Sequence, residues 1–552
     1  MVVRANGSSD KLTITSIIQN NTSASSLTKT CAGTLRLNGI NTYTGGSIVN
    51  SGTLSVSINS TSAYTALNVT LNGGIFSLDV LNNAVYPTIT VGPSGGAMSC
   101  SSVGTGGGHF TLTNDITGTG NVSYSGWGDD RFTRTGTGYS LSGDFILLVT
   151  GNNSAAILGS FPNSTVDMQS NLTNPTDNTT SANPIWGGLK GSGNLTLRKT
   201  SASAIQIGNN NKDTTYPGVL SAYTATTIGV TKIGTGTLTL SGVNTYTGAT
   251  TITGGKLTIA STGTINLTSA VSIGVGEFNY NSATALSQGV SFSSTGGTLS
   301  GSGTITPAVN VTAGNTLSPG NSLGTLSFGA GLTIGGTYAA QLGTPNASPA
   351  SGLSDRGAVT GALTLTGGTL TLSDNAGANG QGSAAAGAYR LLTFTGARTG
   401  SFASVTNPLS ATLHELVVYN GTSNGTVDLS LYRFGAANTI TTPMNFSNFH
   451  VGDSVTPQAL TITNSASNDS FSVTGSGNEV TVTSAITAAG ASSALVKEGA
   501  GALRLDGAQG YDILTANAGT TNVNGILGTA PGLAVVTEPG TLGVLNRRRR
   551  QA

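Results

Sequence analysis

The sequence predicts an all-β protein: a right-handed parallel β-helix, or β-solenoid, with a C-terminal β-rich cap and further short β segments. Three observations support this fold class. A motif recurs three times, short runs of alternating apolar and polar residues stand between glycines, and the composition is rich in Gly and poor in charge. Of the 552 residues, 81 are Gly and 8% are charged, against about 25% charged residues in typical domains. The alternating runs of Thr, Val and Ile argue against a disordered chain.

The recurring motif is most complete from Lys232 to Leu257. Alternation with a period of two places its paired leucines on one face of a strand, away from the residue between them. A unit of this size cannot bury its apolar face alone, so it must stack on a similar neighbour, in coils of about 25 residues. The shared positions are Gly33, Leu35, Leu37, Gly39 and Tyr43; Gly236, Leu238, Leu240, Gly242 and Tyr246; and Gly501, Leu503, Leu505, Gly507 and Tyr511, with Lys29, Lys232 and Lys497 at the start of each copy.

Local chemistry assigns each element of the second copy. Leu238 and Leu240 form a first strand, which Gly242 ends because glycine accepts backbone angles that other residues avoid. Residues 243–248 have turn chemistry, since Asn, as at Asn244, tolerates the left-handed region. The second and third strands are expected at 250–253 and from Leu257 onward. Each copy is therefore predicted to be three strands separated by two corners.

The charge balance limits the classes of partner. The chain has 22 basic and 21 acidic residues, a net charge of +1, which gives no broad electrostatic field for nucleic acid or an anionic membrane. No run of about 18 apolar residues is present, so no helix is predicted to span a membrane. Residues 1–12 lack the apolar stretch of a signal peptide.

The histidines and cysteines predict no metal or cofactor site. His109, His414 and His450 lie in unrelated contexts without the spacing of metal ligands. Cys31 and Cys100 fit no metal motif and are expected to be free, with a single disulfide between them left open as the alternative. Cys31 stands where the second copy of the motif has a corner glycine.

A parallel β-helix can also carry a polysaccharide lyase or hydrolase, and Asp129-Asp130 beside Trp127 is the best local candidate. Hydrolysis needs two carboxylates roughly 5–10 Å apart. Adjacent strand residues point to opposite faces, however, and Gly-Asp-Asp is ordinary turn chemistry, so no catalytic residue is predicted. The recurring tyrosines could stack on sugar rings, but packing into the corner is the favoured interpretation.

The three copies resemble the autotransporter-associated β-strand repeat, which is found in passenger domains of secreted bacterial surface proteins. Residues 317–326, which read LSPGNSLGTL, are similar to the motif that closes such passengers. Residues 354–363 look like the segment that usually comes next. Together these resemblances cover most of residues 27–432, and they imply a β-helical passenger that is extracellular or on the bacterial cell surface.

Two shorter resemblances concern the C-terminal part of the chain. Residues 445–464 look like the opening strands of an immunoglobulin-like surface domain, cut short by the third copy of the motif. Glu538 and Pro539 resemble the start of a PEP-CTERM sorting signal, in a degenerate form because residues 540–546 are too few for its transmembrane helix. The basic run that completes this signal is Arg547, Arg548, Arg549 and Arg550.

These interpretations divide the chain into five segments. They are a solenoid of autotransporter-type repeats at 1–345, its β-rich cap at 346–432, a partial immunoglobulin-like β segment at 433–482, the third repeat at 483–530 and a PEP-CTERM-like tail at 531–552. Residues 345–353 are expected to be the linker between the first two segments.

The expected function is structural: a non-enzymatic, secreted or cell-surface β-solenoid stalk that serves as an adhesin, an envelope component or a fibre subunit. The alternative is an extracellular β-helix polysaccharide lyase or hydrolase. Cell-surface glycans or proteins are the expected partners, and self-association into fibres stays open because unpaired strand edges can pair between subunits. No nucleic acid, cofactor, metal or transmembrane segment is expected.

Overall fold

The computed structural model describes residues 1–434 with internal gaps, together with ten strands between Asp469 and Val544. This described part is β-structure throughout, apart from a 3₁₀ turn at Ala378–Gly380, and it contains no helix long and apolar enough to cross a bilayer. The gaps before residue 434 are 59–67, 81–87, 102–108, 113–115, 127–130, 135–138, 149–155, 158, 170, 172–182, 198–202, 224–226 and 410–412.

Short strands follow one another around glycine-rich corners. The first twenty-four are β1 (Val2–Arg4), β2 (Lys11–Ile14), β3 (Leu27–Thr30), β4 (Thr34–Leu37), β5 (Ser47–Val49), β6 (Thr53–Ile58), β7 (Asn68–Leu71), β8 (Ile75–Val80), β9 (Thr88–Val91), β10 (Gly96–Ser101), β11 (His109–Leu112), β12 (Ile116–Gly118), β13 (Val122–Ser125), β14 (Arg131–Arg134), β15 (Ser140–Leu141), β16 (Phe145–Leu147), β17 (Ala156–Ile157), β18 (Phe161–Met168), β19 (Ile185–Lys190), β20 (Leu195–Leu197), β21 (Ser203–Ile207), β22 (Thr214–Tyr216), β23 (Leu220–Ala222) and β24 (Ile228–Lys232).

The same pattern of short strands continues from the second copy of the motif to the C-terminal part. These strands are β25 (Thr237–Leu240), β26 (Thr250–Ile252), β27 (Lys256–Ile259), β28 (Val271–Ile273), β29 (Glu277–Tyr280), β30 (Val290–Phe292), β31 (Thr298–Gly301), β32 (Thr304–Ile305), β33 (Val309–Val311), β34 (Thr316–Pro319), β35 (Thr325–Phe328), β36 (Leu332–Ile334), β37 (Thr337–Leu342), β38 (Arg356–Val359), β39 (Leu363–Thr366), β40 (Thr369–Asp374), β41 (Gly387–Phe394), β42 (Arg398–Ser401), β43 (Ser404–Thr406), β44 (His414–Asn420), β45 (Gly425–Phe434), β46 (Asp469–Thr474), β47 (Glu479–Val482), β48 (Ile486–Thr487), β49 (Ala494–Glu498), β50 (Ala502–Leu505), β51 (Gln509–Gly510), β52 (Ile513–Ala516), β53 (Thr520–Val523), β54 (Leu533–Val536) and β55 (Thr541–Val544).

Strands of successive coils pair in parallel. Among the described strands, every ladder is parallel except the two that join β41 and β44 to β45. The four largest sheets have 14, 10, 9 and 7 strands, and neighbours within each sheet follow one another along the chain. The 14-stranded sheet, β2-β4-β6-β8-β10-β13-β16-β18-β19-β21-β24-β26-β28-β30, extends roughly 60 Å at about 4.8 Å per strand. The prediction of an all-β parallel solenoid is therefore confirmed.

The hydrophobic core is the interior of the coil. Side chains on one face of each strand point inward and stack on the equivalent residue of the next coil, so the core is a set of columns parallel to the stacking axis. All members of the clearest column are at most 1% exposed. That column runs through Leu238, Leu257, Phe278, Leu299, Leu317, Tyr338 and Leu370.

One coil of the repeat is shorter than expected. Leu238 pairs with Leu257, 19 residues later, and Leu35 pairs with Leu54 at the same interval. These two coils are shorter than the expected average of about 25 residues, since each copy of the motif contains one whole coil plus the first strand of the next. The first and last strands of each copy of the motif therefore pair with each other.

The parallel ladders continue past residue 345 and then meet a hairpin. Strand β37 pairs with β40, and β40 with β43, while β38 lies between β35 and β41. The hairpin β44–β45 adds to β41 in antiparallel orientation, where Arg390 Nε contacts Asp428 Oδ1 at 2.9 Å. The end of β45 pairs in parallel with β46, so parallel stacking resumes beyond the hairpin.

Candidate functional site

The leucines of the repeat lie inside the coil. In β4 and β25 buried and half-buried residues alternate, so the residue between the two leucines faces outward. The buried pairs are Leu35 with Leu37 and Leu238 with Leu240. In the third copy Leu503 and Leu505 lie in β50, which pairs with β47 and β53, although their side chains are outside the described part.

The glycines of the repeat lie where one coil touches the coil before it. A Cβ at Gly242 would overlap the carbonyl oxygen of Gly218, and one at Gly39 would lie 2.6 Å from the carbonyl oxygen of Ser16. The glycines in this situation are Gly33, Gly39, Gly236 and Gly242. The φ of Gly242 is not positive, so this position requires glycine for close approach rather than for an unusual backbone angle.

Asn244 joins three successive coils. Its side-chain oxygen accepts the Leu220 N–H at 2.9 Å, and its Nδ2 donates to the Thr264 carbonyl at 3.1 Å. In the first copy, Asn41 likewise accepts the Ile18 N–H at 2.9 Å. Asn tolerates the left-handed region, but the φ of Asn244 is not positive. The corner uses the amide side chain as a bridge between coils and not a special backbone angle.

Tyr43 and Tyr246 pack into the same corner. Both rings are buried, and each hydroxyl bonds to the side chain four residues on, Tyr43 to Ser47 Oγ at 2.6 Å and Tyr246 to Thr250 Oγ1 at 2.7 Å. Burial raises the pKa of the Tyr246 phenol, which therefore stays neutral. Rings inside the coil present no face to a sugar, which favours corner packing. Tyr511 lies outside the described residues.

Replacing Tyr246 by Phe is expected to lower the free energy of unfolding by about 1 kcal/mol, because a buried hydrogen bond is lost. The loss is limited because Thr250 keeps its contact with Thr268 Oγ1 at 3.0 Å. Thermal unfolding followed by circular dichroism measures the change. The Tyr246→Ala variant, which also removes the ring, should lose about 3–5 kcal/mol. Equal losses in the two variants would mean that the hydroxyl, not the ring, dominates, contrary to this expectation.

A buried lysine closes the corner in the first two copies, a role that sequence reasoning did not assign. Lys29 and Lys232 are 0% and 1% exposed, and each ammonium group donates to three backbone carbonyls at 2.6–3.3 Å. The acceptors are Ile233, Gly234 and Gly254 for Lys232, and Thr30, Cys31 and Ser51 for Lys29. Burial lowers the pKa of Lys232 to about 8 and also lowers that of Lys29. The sequence signal that could have revealed this role is a lysine at the same position of each copy, in a chain with few charged residues.

Cys31 occupies a corner position with a left-handed backbone. Its φ is 69°, and Gly234 has a φ of 68° at the same position of the second copy. Cys31 and Cys100 form no disulfide, and Cys100 is buried. A residue with a side chain is strained in the left-handed region of backbone angles. Replacing Cys31 by Gly would therefore relieve backbone strain in the first copy.

The segment that resembles the passenger-closing motif is fixed by two sets of bonds. Asn321 accepts from Asn279 Nδ2 at 2.6 Å and donates to Asn281 Oδ1 at 2.7 Å, both in or next to β29. The Gly324 N–H donates to Asp355 Oδ1 at 3.1 Å. The loop is thereby held between the outer face of one coil and the start of β38.

Asp355 is expected to make the stability of this region fall as the pH rises from about 4 to about 7. Its carboxylate accepts the N–H groups of Gly324 and Gln341, but burial dominates and raises its pKa to about 7. The folded protein therefore holds a proton that the unfolded chain releases near pH 4, and stability declines between these values by on the order of 2–4 kcal/mol.

Urea unfolding at a series of pH values measures this decline. The Asp355→Asn variant has no titrating group at this position, so its stability should be nearly level across the window. An equally steep decline in the Asn variant would assign the pH dependence to another group.

Two carboxylates that sequence reasoning missed meet on the outer face of the 14-stranded sheet. Asp144 and Asp167 lie 2.5 and 3.5 Å from Lys190 Nζ, and Gln169 Nε2 donates to Asp167 at 2.6 Å. Desolvation of Lys190 opposes its charge, but the bonds to Asp144 and Asp167 prevail and raise the pKa of the lysine. A lysine shared by two carboxylates suits a structural ion-pair cluster better than acid–base catalysis.

The other candidate residues are placed as follows. His414 lies in β44 with its ring centroid 5.8 Å from that of Tyr432, and His109 begins β11. Among the described residues, no three His, Cys, Asp or Glu side chains are grouped so that they could hold a metal ion. The residues outside the described part are Trp127, Asp129, Asp130, His450, Gly501, Gly507, Glu538, Pro539, Arg547, Arg548, Arg549 and Arg550.

Comparison with known families agrees with this corner geometry. Residues 27–56 and 230–259 match the family model of the passenger-associated-transport-repeat. The two matches contain the first two copies of the motif, from the buried lysine (Lys29 or Lys232), which we call the clamp, to the first strand of the next coil. No curated protein matches the chain.

Proposed function

We propose that this chain, which carries passenger-associated-transport-repeats in a parallel β-solenoid, is a non-enzymatic stalk displayed outside the cell. Its role would be mechanical: stacked coils set a fixed length and hold an outer surface away from the envelope. The passenger-type repeats support an extracellular or cell-surface location. Such a stalk would serve as an adhesin, as an envelope component or as a fibre subunit.

The single observation that carries the proposal is the unbroken inner column from Leu238 to Leu370. Each coil in it is held to the next by parallel backbone hydrogen bonds and by inward residues that are almost completely buried. Stability then accumulates between nearest neighbours, so the array resists bending along its whole length. A stalk needs this property, whereas a catalyst does not.

A proteolysis and labelling experiment on intact cells of the source organism tests the location. Antibody raised against the chain should label unpermeabilised cells, and external protease should remove the signal. Labelling that needs permeabilised cells would overturn the proposal. Negative-stain electron microscopy of the purified chain should give rods of uniform length, and open-ended fibres would favour the fibre form.

An extracellular polysaccharide lyase or hydrolase remains the second candidate. Within the described residues, Asp144 and Asp167 on the outer face are the neighbouring carboxylates to test for it, although both contact Lys190 as in a structural ion pair. Assays on neutral and acidic polysaccharides test it, with Asp167→Asn and Asp129→Asn variants as controls. Activity that either variant abolishes would replace the structural proposal with the enzymatic one.

A further inference from the structure

The outer surface between β31 and β43 carries columns of hydroxyl groups. Alternation along β37 and β40 puts Tyr338 and Leu370 inside and Thr337 and Thr369 outside. One outward column on the 9-stranded sheet reads Thr298, Thr316, Thr337, Thr369 and Ser404. A second, on the adjoining 4-stranded sheet, reads Thr333, Thr364 and Thr399. We call these two columns together the hydroxyl face.

Paired glycines join the two columns into one surface. Gly335-Gly336 connects β36 to β37, and Gly367-Gly368 connects β39 to β40. These glycines place no side chain of their own between the columns, and the nearest side chain at Gly335 is that of Thr366, a further hydroxyl. A Cβ at Gly368 would overlap the carbonyl oxygen of Gly336, so the coils are in direct contact here. The two columns therefore flank a corner without bulky side chains.

The hydroxyl face is close to neutral. From Phe278 to Ser354 the sequence contains no Asp, Glu, Lys, Arg or His. Charged groups lie at its margins. Glu277, paired with Lys256 at 2.8 Å, precedes Thr298 in the first column, and the Arg398 guanidinium is 5.0 Å from the centre of the Tyr419 ring. An ionic partner would therefore gain little from this surface.

The hydroxyl groups of this face are available for bonding. Thr369 and Ser404 bond to each other at 3.0 Å. The other described hydroxyls of the face make no side-chain hydrogen bond within the protein. Each can therefore donate to and accept from a ligand or water.

We propose that the hydroxyl face binds an extended neutral polysaccharide laid along the stacking axis. Coils repeat about every 4.8 Å, close to the length of one sugar ring in an extended β-linked glycan, so successive hydroxyls meet successive rings. A single neutral hydrogen bond contributes only about 1 kcal/mol, and binding needs many in register, which the columns supply. The inference rests on the proposed display outside the cell and names the class of partner.

Co-sedimentation of the full chain with insoluble cellulose, chitin and curdlan tests the inference. The triple variant Thr316→Val, Thr337→Val and Thr369→Val removes three hydroxyls and keeps β-branched side chains, so its thermal unfolding should match the wild type. The bound fraction on at least one of the three polysaccharides should fall about tenfold. Binding should also be insensitive to added salt, because no charge takes part.

The matched control lies on another ladder, where Thr231, Thr251 and Ser272 form an outward column of the 14-stranded sheet. Changing these to Val, Val and Ala should leave binding unchanged. Absence of binding to all three polysaccharides, equal loss in both triple variants, or loss with salt would each overturn the inference. Self-association of the wild type that the face variant abolishes would instead assign the surface to a second copy of the chain. Cell-surface labelling is independent of all these outcomes, so failure here leaves the proposed display untouched.

Discussion

Replacing Gly242 by Ala is expected to destabilise the coils around residues 237–259 by at least about 3 kcal/mol. The added Cβ would overlap the carbonyl oxygen of Gly218 and lie 2.9 Å from that of Pro217. Both are backbone atoms of the preceding coil, so relief requires the two coils to separate. Separation breaks parallel hydrogen bonds on both sides of the corner, because each coil is bonded to both neighbours.

Hydrogen exchange of peptides from 237–259 measures this loss locally, which suits a long array better than a single unfolding transition. Gly289→Ala is the matched control. A Cβ at Gly289 meets nothing within 4 Å, and its φ is not positive, so that variant should be neutral or slightly more stable. Similar protection in the Gly242→Ala and wild-type proteins would refute the close-approach explanation of the repeat glycines.

Replacing Lys232 by Ala is expected to cost about 3–4 kcal/mol, for two reasons. The lysine stem fills a place in the inner column between Ile207 and Ile252, so truncation leaves a cavity. The ammonium group is also lost as a donor to three corner carbonyls. Lys232→Met keeps most of the stem and should cost only about 1–2 kcal/mol.

The control for this series is Lys256, in strand β27 of the same motif. Its side chain is 35% exposed and pairs with Glu277 at 2.8 Å, an exposed contact worth about 0–1 kcal/mol. Lys256→Ala should therefore have little effect on hydrogen exchange or thermal unfolding. If Lys256→Ala loses as much stability as Lys232→Ala, the bonds from the buried lysine to the corner carbonyls do not explain why the lysine recurs.

The pH dependence of the clamp has a definite sign. The pKa of Lys232 in the folded protein, about 8, is below its ordinary value of 10.5. Burying the ammonium group therefore costs stability below pH 8, and that cost disappears as the pH rises to 10.5. Buried tyrosines such as Tyr216 and Tyr246, whose pKa values are raised, lower the stability of both proteins in the upper part of this window. The Lys232 effect is therefore measured as the wild-type stability minus that of Lys232→Met, and this difference should increase from pH 8 to 10.5. A difference that does not change with pH would contradict the assignment.

Much of the corner could be predicted from the sequence. Alternation identified Leu238 and Leu240 as inward residues, and the recurring glycines marked the corners, because both signals are local to one strand or turn. The reason given for Gly242 was wrong, and the side-chain bridge of Asn244 was not foreseen. Both positions act on neighbouring coils, and a single copy of the motif does not reveal what lies above and below it.

By itself, the sequence predicted that this protein stacks parallel coils around leucine columns, because the motif recurs and a single copy cannot bury its apolar face alone. Only the tertiary structure decided which residues of different coils meet. Among the described strands, coil length varies from 18 residues between Leu299 and Leu317 to 36 between Arg433 and Asp469. Loops of different length therefore set which residues of neighbouring coils pair. This pairing brings Lys190 next to Asp144 and Asp167, and it places one threonine above another on the hydroxyl face.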